Sequence, residues 1–237
     1  MCKIFAITRH SYDNNTEAWT EHLKDGARIN SHGSAALFID EDTGSHSIIR
    51  ATQWTDIQDV LDFKSDWTTV FIHQRFGTRG GRGLENVHFW QANDVFYCHN
   101  GVLRGTEQEA LSVDSLVIGQ WLEEGGVWYA LSQLQQQDYA NVFMVDMIDG
   151  AYYMSRSVTN SLYTNDLGDY STDKLDGICD ISVAENTIVK REFELNPRKS
   201  SSQFNWNGWN RAILDDADDA YEEAVRMSIH GDHPTED

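Results

Sequence analysis

A cysteine stands at position 2, directly behind Met1 and ahead of the strand-like run Lys3-Ile4-Phe5-Ala6-Ile7-Thr8. Once Met1 is removed, that residue carries a thiol and a free α-amine, a nucleophile and a proton acceptor supplied without a second side chain. Removal is expected because the second side chain is small. An α-amine titrates near ~8, so an appreciable fraction is unprotonated at neutral pH and able to take the thiol proton, directly or through a water. Position 2 is therefore the first candidate for chemistry. Cysteines also fall near chain starts by chance, so the rest of the chain has to supply the context.

Four later segments do so. Phe71-Ile72-His73-Gln74-Arg75-Phe76-Gly77-Thr78-Arg79-Gly80 reads as a buried strand running into a glycine-rich loop, and Val95-Phe96-Tyr97-Cys98-His99-Asn100-Gly101-Val102 as a strand ending in Asn-Gly. Asn86-Val87-His88 lies between them and Val113-Asp114-Ser115 follows. Taken in order with Cys2, these segments resemble the motifs of the class II glutamine amidotransferases, a branch of the N-terminal-nucleophile (Ntn) hydrolases. That family typically reads Met-Cys-Gly-Ile, His-x-Arg-Trp-Ala-Thr-x-Gly, Asn-x-His-Pro, His-Asn-Gly and Ser-Asp-[Ser/Thr]-Glu. The matched stretch covers roughly the first half of the chain. His32-Gly33-Ser34-Ala35-Ala36 is a weaker match to a further loop and strand of such domains.

The resemblance implies an α+β fold, a four-layer αββα sandwich of two antiparallel sheets, and a reaction in which Cys2 attacks the side-chain amide of glutamine. Charge then builds on a carbonyl oxygen and needs fixed donors beside it. Asn100 and the backbone N–H of Gly101 fall at the positions that supply them. Arg75 falls where a guanidinium makes a two-pronged contact with the substrate α-carboxylate. Asp114 falls where a carboxylate meets the α-ammonium, and Phe76 and Thr78 lie beside Arg75 in the substrate-binding segment. No cofactor and no metal are expected.

Each residue also has an ordinary structural reading. Asn-Gly is a strong hairpin signal, Arg75 could be a surface charge at a strand end, and Asp114 suits the N-cap of a helix starting near Ser115. His73 and His99 read as satisfied structural histidines, and Cys98 as a small buried hydrophobe. Phe76 replaces the usual tryptophan, Gly77 the alanine, Arg79 a frequent histidine, Phe89 the proline and Leu116 the glutamate. The run Arg79-Gly80-Gly81-Arg82-Gly83 adds positive charge where the loop would cover a substrate. A γ-glutamyl peptide or conjugate, more anionic than glutamine, is an alternative substrate.

The elements that must position these residues are mostly strands. Runs at 2–8, 34–40, 69–74, 94–99, 141–147, 151–155, 161–164 and 187–195 are separated by Gly, Asn and Asp turns. Helices are expected at 17–22, 57–63, 114–124 and 127–137, the last two joined by Gly125-Gly126. The chain has 237 residues, enough for one large domain and a tail but not for an amidotransferase and a full synthase, so the ammonia acceptor is expected to be a separate enzyme. Lys and Arg number 18 against 38 Asp and Glu, a net charge of −20 that disfavours nucleic acid and anionic membranes as partners. Three cysteines without a CxxC pair, and no apolar span or leader, fit a cytoplasmic protein.

Residues 1–196 are expected to form the catalytic domain and 197–237 a linker with an appended segment. The segment holds Phe204, Trp206 and Trp209, then an acidic helix from about Asn210 to Ile229 whose apolar face could dock on a partner or on its own domain. His230 and His233 read as a frayed end. The opposing functional class is a catalytically silent Ntn-fold protein acting through this segment, while an acidic mimic of nucleic acid rests on charge alone. Joint retention of Arg75, Asn100, Gly101 and Asp114 favours the enzyme. Truncation at Asn196 is expected to leave thermal stability and glutaminase activity nearly intact while changing the elution mass or abolishing co-purification of a partner. An insoluble truncated protein would instead assign the tryptophans to the domain core.

Overall fold

Alternate residues of β1 (Lys3–Thr8) are apolar on both faces: Ile4 and Ala6 pack into one core, Phe5 and Ile7 into another. A strand apolar on both faces has to lie between two layers. The computed structural model, which describes residues 2–64, 66–77, 83–103, 114–138 and 140–193, supplies both. Thr78, the 78–82 loop and everything after residue 193, including the expected linker, aromatic cluster and acidic helix, lie outside the described residues.

In chain order β1 is followed by α1 (Arg9–Asn14), α2 (Thr16–Ile29), β2 (Ser34–Asp40), β3 (Ser45–Ala51), α3 (Trp54–Phe63) and β4 (Thr69–Gln74). Next come β5 (Trp90–Ala92), β6 (Val95–Gly101), α4 (Leu116–Leu134), β7 (Ala140–Asp146) and β8 (Ala151–Arg156). The short β9 (Tyr163–Thr164), β10 (Tyr170–Ser171) and β11 (Ile181–Ser182) precede β12 (Thr187–Glu192). The strands pair antiparallel into one sheet of order β11-β9-β10-β1-β4-β2-β3 and another of order β12-β8-β7-β6-β5. Ile4, Leu37 and Phe71 from the first sheet meet Cys98, Phe143 and Met154 from the second. Edge-to-face pairs tie this layer together, Phe71 with Phe143 at 6.1 Å and with Tyr152 at 5.1 Å.

The outer faces are covered by helices. Trp19 and Leu23 of α2 and Ile57 and Leu61 of α3 bury against Phe5, Phe38 and Ile72, while α4 lays Ile118, Leu122 and Leu131 on Tyr97, Val142 and Met144. The result is the α+β, four-layer αββα sandwich. Gly126 (φ 72, ψ −169) breaks α4 internally, at the Gly-Gly junction expected between two helices. The expected helix at 17–22 is longer, Thr16–Ile29, because its inward positions Trp19, Leu23 and Gly26 keep helical spacing. α1 and β3 had no sequence signal. β3 is a polar edge strand that exists because all of it pairs with β2, from Ser34↔Ala51 to Asp40↔Ser45.

The α2 layer sits close to the sheet at one polar contact. Gln74, fully buried at the end of β4, donates from Nε2 to the Leu23 carbonyl at 2.7 Å, and a Cβ at Gly26 would come within 2.2 Å of its Oε1. Gly26→Ala should gain roughly 1 kcal/mol of helix propensity. It is nonetheless expected to destabilise the protein by about 1 kcal/mol or more, because a buried, hydrogen-bonded amide has to move. Urea unfolding measures this, with partial recovery in Gly26→Ala/Gln74→Ala. A single variant as stable as the parent would mean that Gln74 shifts freely.

Candidate active site

β1 and β4 run antiparallel with Lys3 opposite Gln74, so the chain leaving β4 passes beside the residue that precedes β1. Cys2 Sγ lies 3.8 Å from the carbonyl oxygen of Phe76. The thiol is half-buried, and its neighbours act on it in both directions. Burial raises its pKa, the backbone of Phe76 and the Arg75 charge pull it back down, and Asp114 raises it. The net shift is upward, so this thiol needs a base to become a nucleophile.

Arg75 is 2% exposed and its backbone is pinned twice. Its N–H donates to the Gly33 carbonyl at 2.9 Å and its carbonyl accepts from the His32 N–H at 3.1 Å. The Gly77 N–H donates to His32 Nδ1 at 2.9 Å, and the Phe76 ring stacks on His32 with centroids 5.3 Å apart. The guanidinium lies on the backbone of Gly77, where a Cβ would be 2.4 to 2.6 Å from it. With Arg75 placed so, a glycine in place of the usual alanine has a steric reason.

Asn100 and Gly101 end β6, across the layer from β1. Gly101 has φ 137, a conformation that favours glycine. The Asn100 carbonyl accepts from Asn160 Nδ2 at 3.2 Å. Asn141, opposite Asn100 in β7, accepts from Ser157 N at 2.8 Å and donates to the Ser161 carbonyl at 2.8 Å. The strand end is thereby held, yet Asn100 Oδ1 is buried with no hydrogen-bond partner among the described residues. Asp114 Oδ2 accepts from the Leu103 N–H at 3.0 Å and lies 3.7 Å from His99 Nε2. It is not the N-cap of α4; that position is Ser115, whose side chain makes no capping bond.

No family profile matches the sequence, and no curated protein matches it either. Solved structures do. Glutamine phosphoribosylpyrophosphate amidotransferase from B. subtilis, complexed with ADP and GMP, aligns with a TM-score of 0.56 at 13% identity, over 83% of this chain and 50% of that one. A structure described as the allosteric regulatory enzyme of purine biosynthesis aligns with a TM-score of 0.57 at 14% identity, over 82% and 50%. The chain has the Ntn-hydrolase fold of the class II glutamine amidotransferases. It spans about half the length of those matched chains.

Within that fold, Cys2 lies beside Phe76 and is acted on electrostatically by Arg75 and Asp114, while Asn100 and Gly101 end β6, a strand in contact with β1. Cys98 is fully buried there as a small apolar side chain. Sequence reasoning missed the framework: His32, His88, Ser115, Asn141, Ser157 and Asn160. Only His32, His88 and Ser115 carried a trace, in the His-Gly, Asn-x-His and Asp-Ser segments.

His73, expected to be satisfied, has no hydrogen bond of normal geometry at either ring nitrogen among the described residues. The His99 backbone favours its charged form, but less than burial opposes it. It stacks on His88 with centroids 4.2 Å apart, and His88 stacks on His99 at 5.3 Å. Burial lowers the pKa of both His73 and His88 well below the usual imidazole value, and the neighbouring histidines and Arg75 lower it further. Both are buried neutral, so only the unfolded chain takes up their protons near its pKa of about 6.5. Their contribution is complete above that value and is lost as pH falls below it. Unfolding free energy should drop between about pH 7 and about pH 5 by up to ~1.4 kcal/mol per pH unit for each histidine. Denaturant unfolding across that range checks this. His73→Phe, which keeps a ring on His88, should flatten the slope by about one proton's worth.

Proposed function

We propose that the chain is a glutamine amidotransferase-type hydrolase that, after loss of Met1, opens the side-chain amide of glutamine or of a γ-glutamyl compound with Cys2. The α-amine takes the thiol proton, the thiolate adds to the amide carbon, and the oxyanion is met by Asn100 and the Gly101 N–H. Collapse, with the Cys2 α-ammonium returning that proton to the leaving nitrogen, expels ammonia and leaves a γ-glutamyl thioester on Cys2, which water hydrolyses to the acid. Arg75 holds the α-carboxylate and Asp114 the α-ammonium, with Phe76 and Thr78 flanking. Ammonia passes to a separate acceptor enzyme.

The observation that carries this reading is the convergence of one cation and one anion, Arg75 and Asp114, on the Cys2 thiol, from segments far apart in the chain. Opposite charges flanking a nucleophile match the two ends of a free amino acid and would have no reason to sit there around a structural cysteine. Asn100 Oδ1 is buried without a partner among the described residues, and half a turn of the amide would put its donor nitrogen there, which supports an oxyanion role.

The mature protein should begin at Cys2 by intact mass, release ammonia from glutamine and be labelled at Cys2 by a diazo-ketone glutamine analogue. Cys2→Ala should lose both activities, and labelling at Cys98 or Cys179 instead would overturn the assignment. Kinetics should separate the other residues. Arg75→Ala and Asp114→Ala raise KM, whereas Asn100→Ala lowers kcat by about a hundredfold or more. An Asn100→Ala enzyme changed only in KM would remove Asn100 from the oxyanion role.

A further inference from the structure

Ser115 is fully buried between two imidazoles, its Oγ 2.9 Å from His88 Nε2 and 2.7 Å from His99 Nδ1. A hydroxyl has one proton, so it cannot donate to both rings. The direction is decided on the far side of His88. There Nδ1 accepts the backbone N–H of His99 at 3.3 Å and must be bare. Neutral His88 therefore carries its proton on Nε2 and donates to Ser115 Oγ. Were His99 Nδ1 also to donate, the hydroxyl proton would be left in a buried site without an acceptor. Ser115 Oγ–H therefore points at His99 Nδ1, and the His99 proton is on Nε2, the nitrogen 3.7 Å from Asp114 Oδ2. The sequence of donors runs one way, from the His99 backbone through His88 and Ser115 to the His99 ring and toward Asp114.

We propose that Ser115 is a positioning residue for substrate recognition: it holds His99 in the Nε2–H tautomer, and that tautomer aims the Asp114 carboxylate at the α-ammonium of the substrate amino acid. This rests on the reading of Asp114 in the preceding section. Without the hydroxyl, Nδ1 loses its donor and the ring is free to adopt the other tautomer. A lone pair on Nε2 then faces a carboxylate and repels it. Ser115 controls affinity for a zwitterionic substrate without touching it. The turnover step, which belongs to Cys2, Asn100 and Gly101, lies outside this path.

The experiment uses the full chain with Ser115→Ala, Ser115→Cys and Ser115→Thr, two readouts, and Asp114→Asn as the reference. Nitrogen-15 NMR of the His99 ring reads the tautomer without any need for activity. Steady-state kinetics on glutamine reads KM and kcat. Ser115→Ala should give a mixed or Nδ1–H tautomer, with KM raised about tenfold and kcat within about twofold. Ser115→Cys, close in size but a weak donor, should do the same, and it serves if the alanine variant does not fold. Ser115→Thr, which keeps the hydroxyl, should restore the parent tautomer and KM. A His99 ring that stays in the Nε2–H form in both the alanine and cysteine variants overturns the inference. So does an unchanged KM in those variants when Asp114→Asn raises it. An unchanged KM in Asp114→Asn counts against the ammonium site itself, whereas the NMR result still decides whether Ser115 governs His99.

Discussion

The antiparallel register of β1 on β4 is the constraint from which the rest of the site follows. Six consecutive pairs run from Lys3↔Gln74 to Thr8↔Thr69, and β2 repeats the pattern on the other side of β4 with Ala35 opposite His73. Side chains on a strand alternate, so a slip of one residue would exchange Ile4 and Ala6 for Phe5 and Ile7 in the inter-sheet layer. Such a slip is opposed by both cores at once, since each set has its own apolar partners. The same register brings the residue before β1 to the chain that leaves β4, which is how Cys2 meets Phe76 and the Arg75 segment. Placement of Cys2 is in this sense a consequence of core packing.

The inter-sheet layer changes character along its length. Its middle is aromatic and aliphatic, with Phe71, Phe143 and Tyr152 in edge contact. Its site end holds His73, Arg75, His88, His99, Asn100 and Ser115, all nearly inaccessible. Burying polar groups is costly unless each finds a partner, and most here do: Ser115 serves two histidines, Asn141 serves Ser157 and Ser161, and Asn160 holds the Asn100 carbonyl. The exceptions among the described residues are the His73 ring nitrogens and the Asn100 Oδ1. Burial at this end raises the Cys2 thiol pKa and lowers those of the His73 and His88 imidazoles. In such surroundings the interaction between a charge and fixed hydrogen-bond donors is stronger than in water.

Membership of the fold class was legible because it depends on features that a linear chain displays. β1, β2, β4, β6 and β7 are nearly unbroken apolar runs, as expected of strands covered on both faces, and Gly125-Gly126 marks the break inside α4. The motif residues Cys2, Arg75, Asn100, Gly101 and Asp114 could be named because their types and order form a recognisable set. α1 and β3 could not, since neither carries a hydrophobic period and each exists through its neighbours in space. Asp114 illustrates the limit at one position. Its sequence suits a helix cap, yet its carboxylate turns to the Leu103 N–H and toward His99 instead.

The sequence by itself determined the strand-rich core, because that follows from periodicity and side-chain type, while the layer order and the residues expected to do amide chemistry came from the resemblance of its motifs to the class II glutamine amidotransferases. Only the tertiary structure decided which partners each of them has. The contact of Cys2 with Phe76 and the bond from Asn160 to Asn100 join residues 74 and 60 positions apart. Nor does any local pattern place Ser115 between two imidazoles. Such bonds depend on where two sheets and a helix end meet, and that is set by the sum of many apolar contacts spread over the chain.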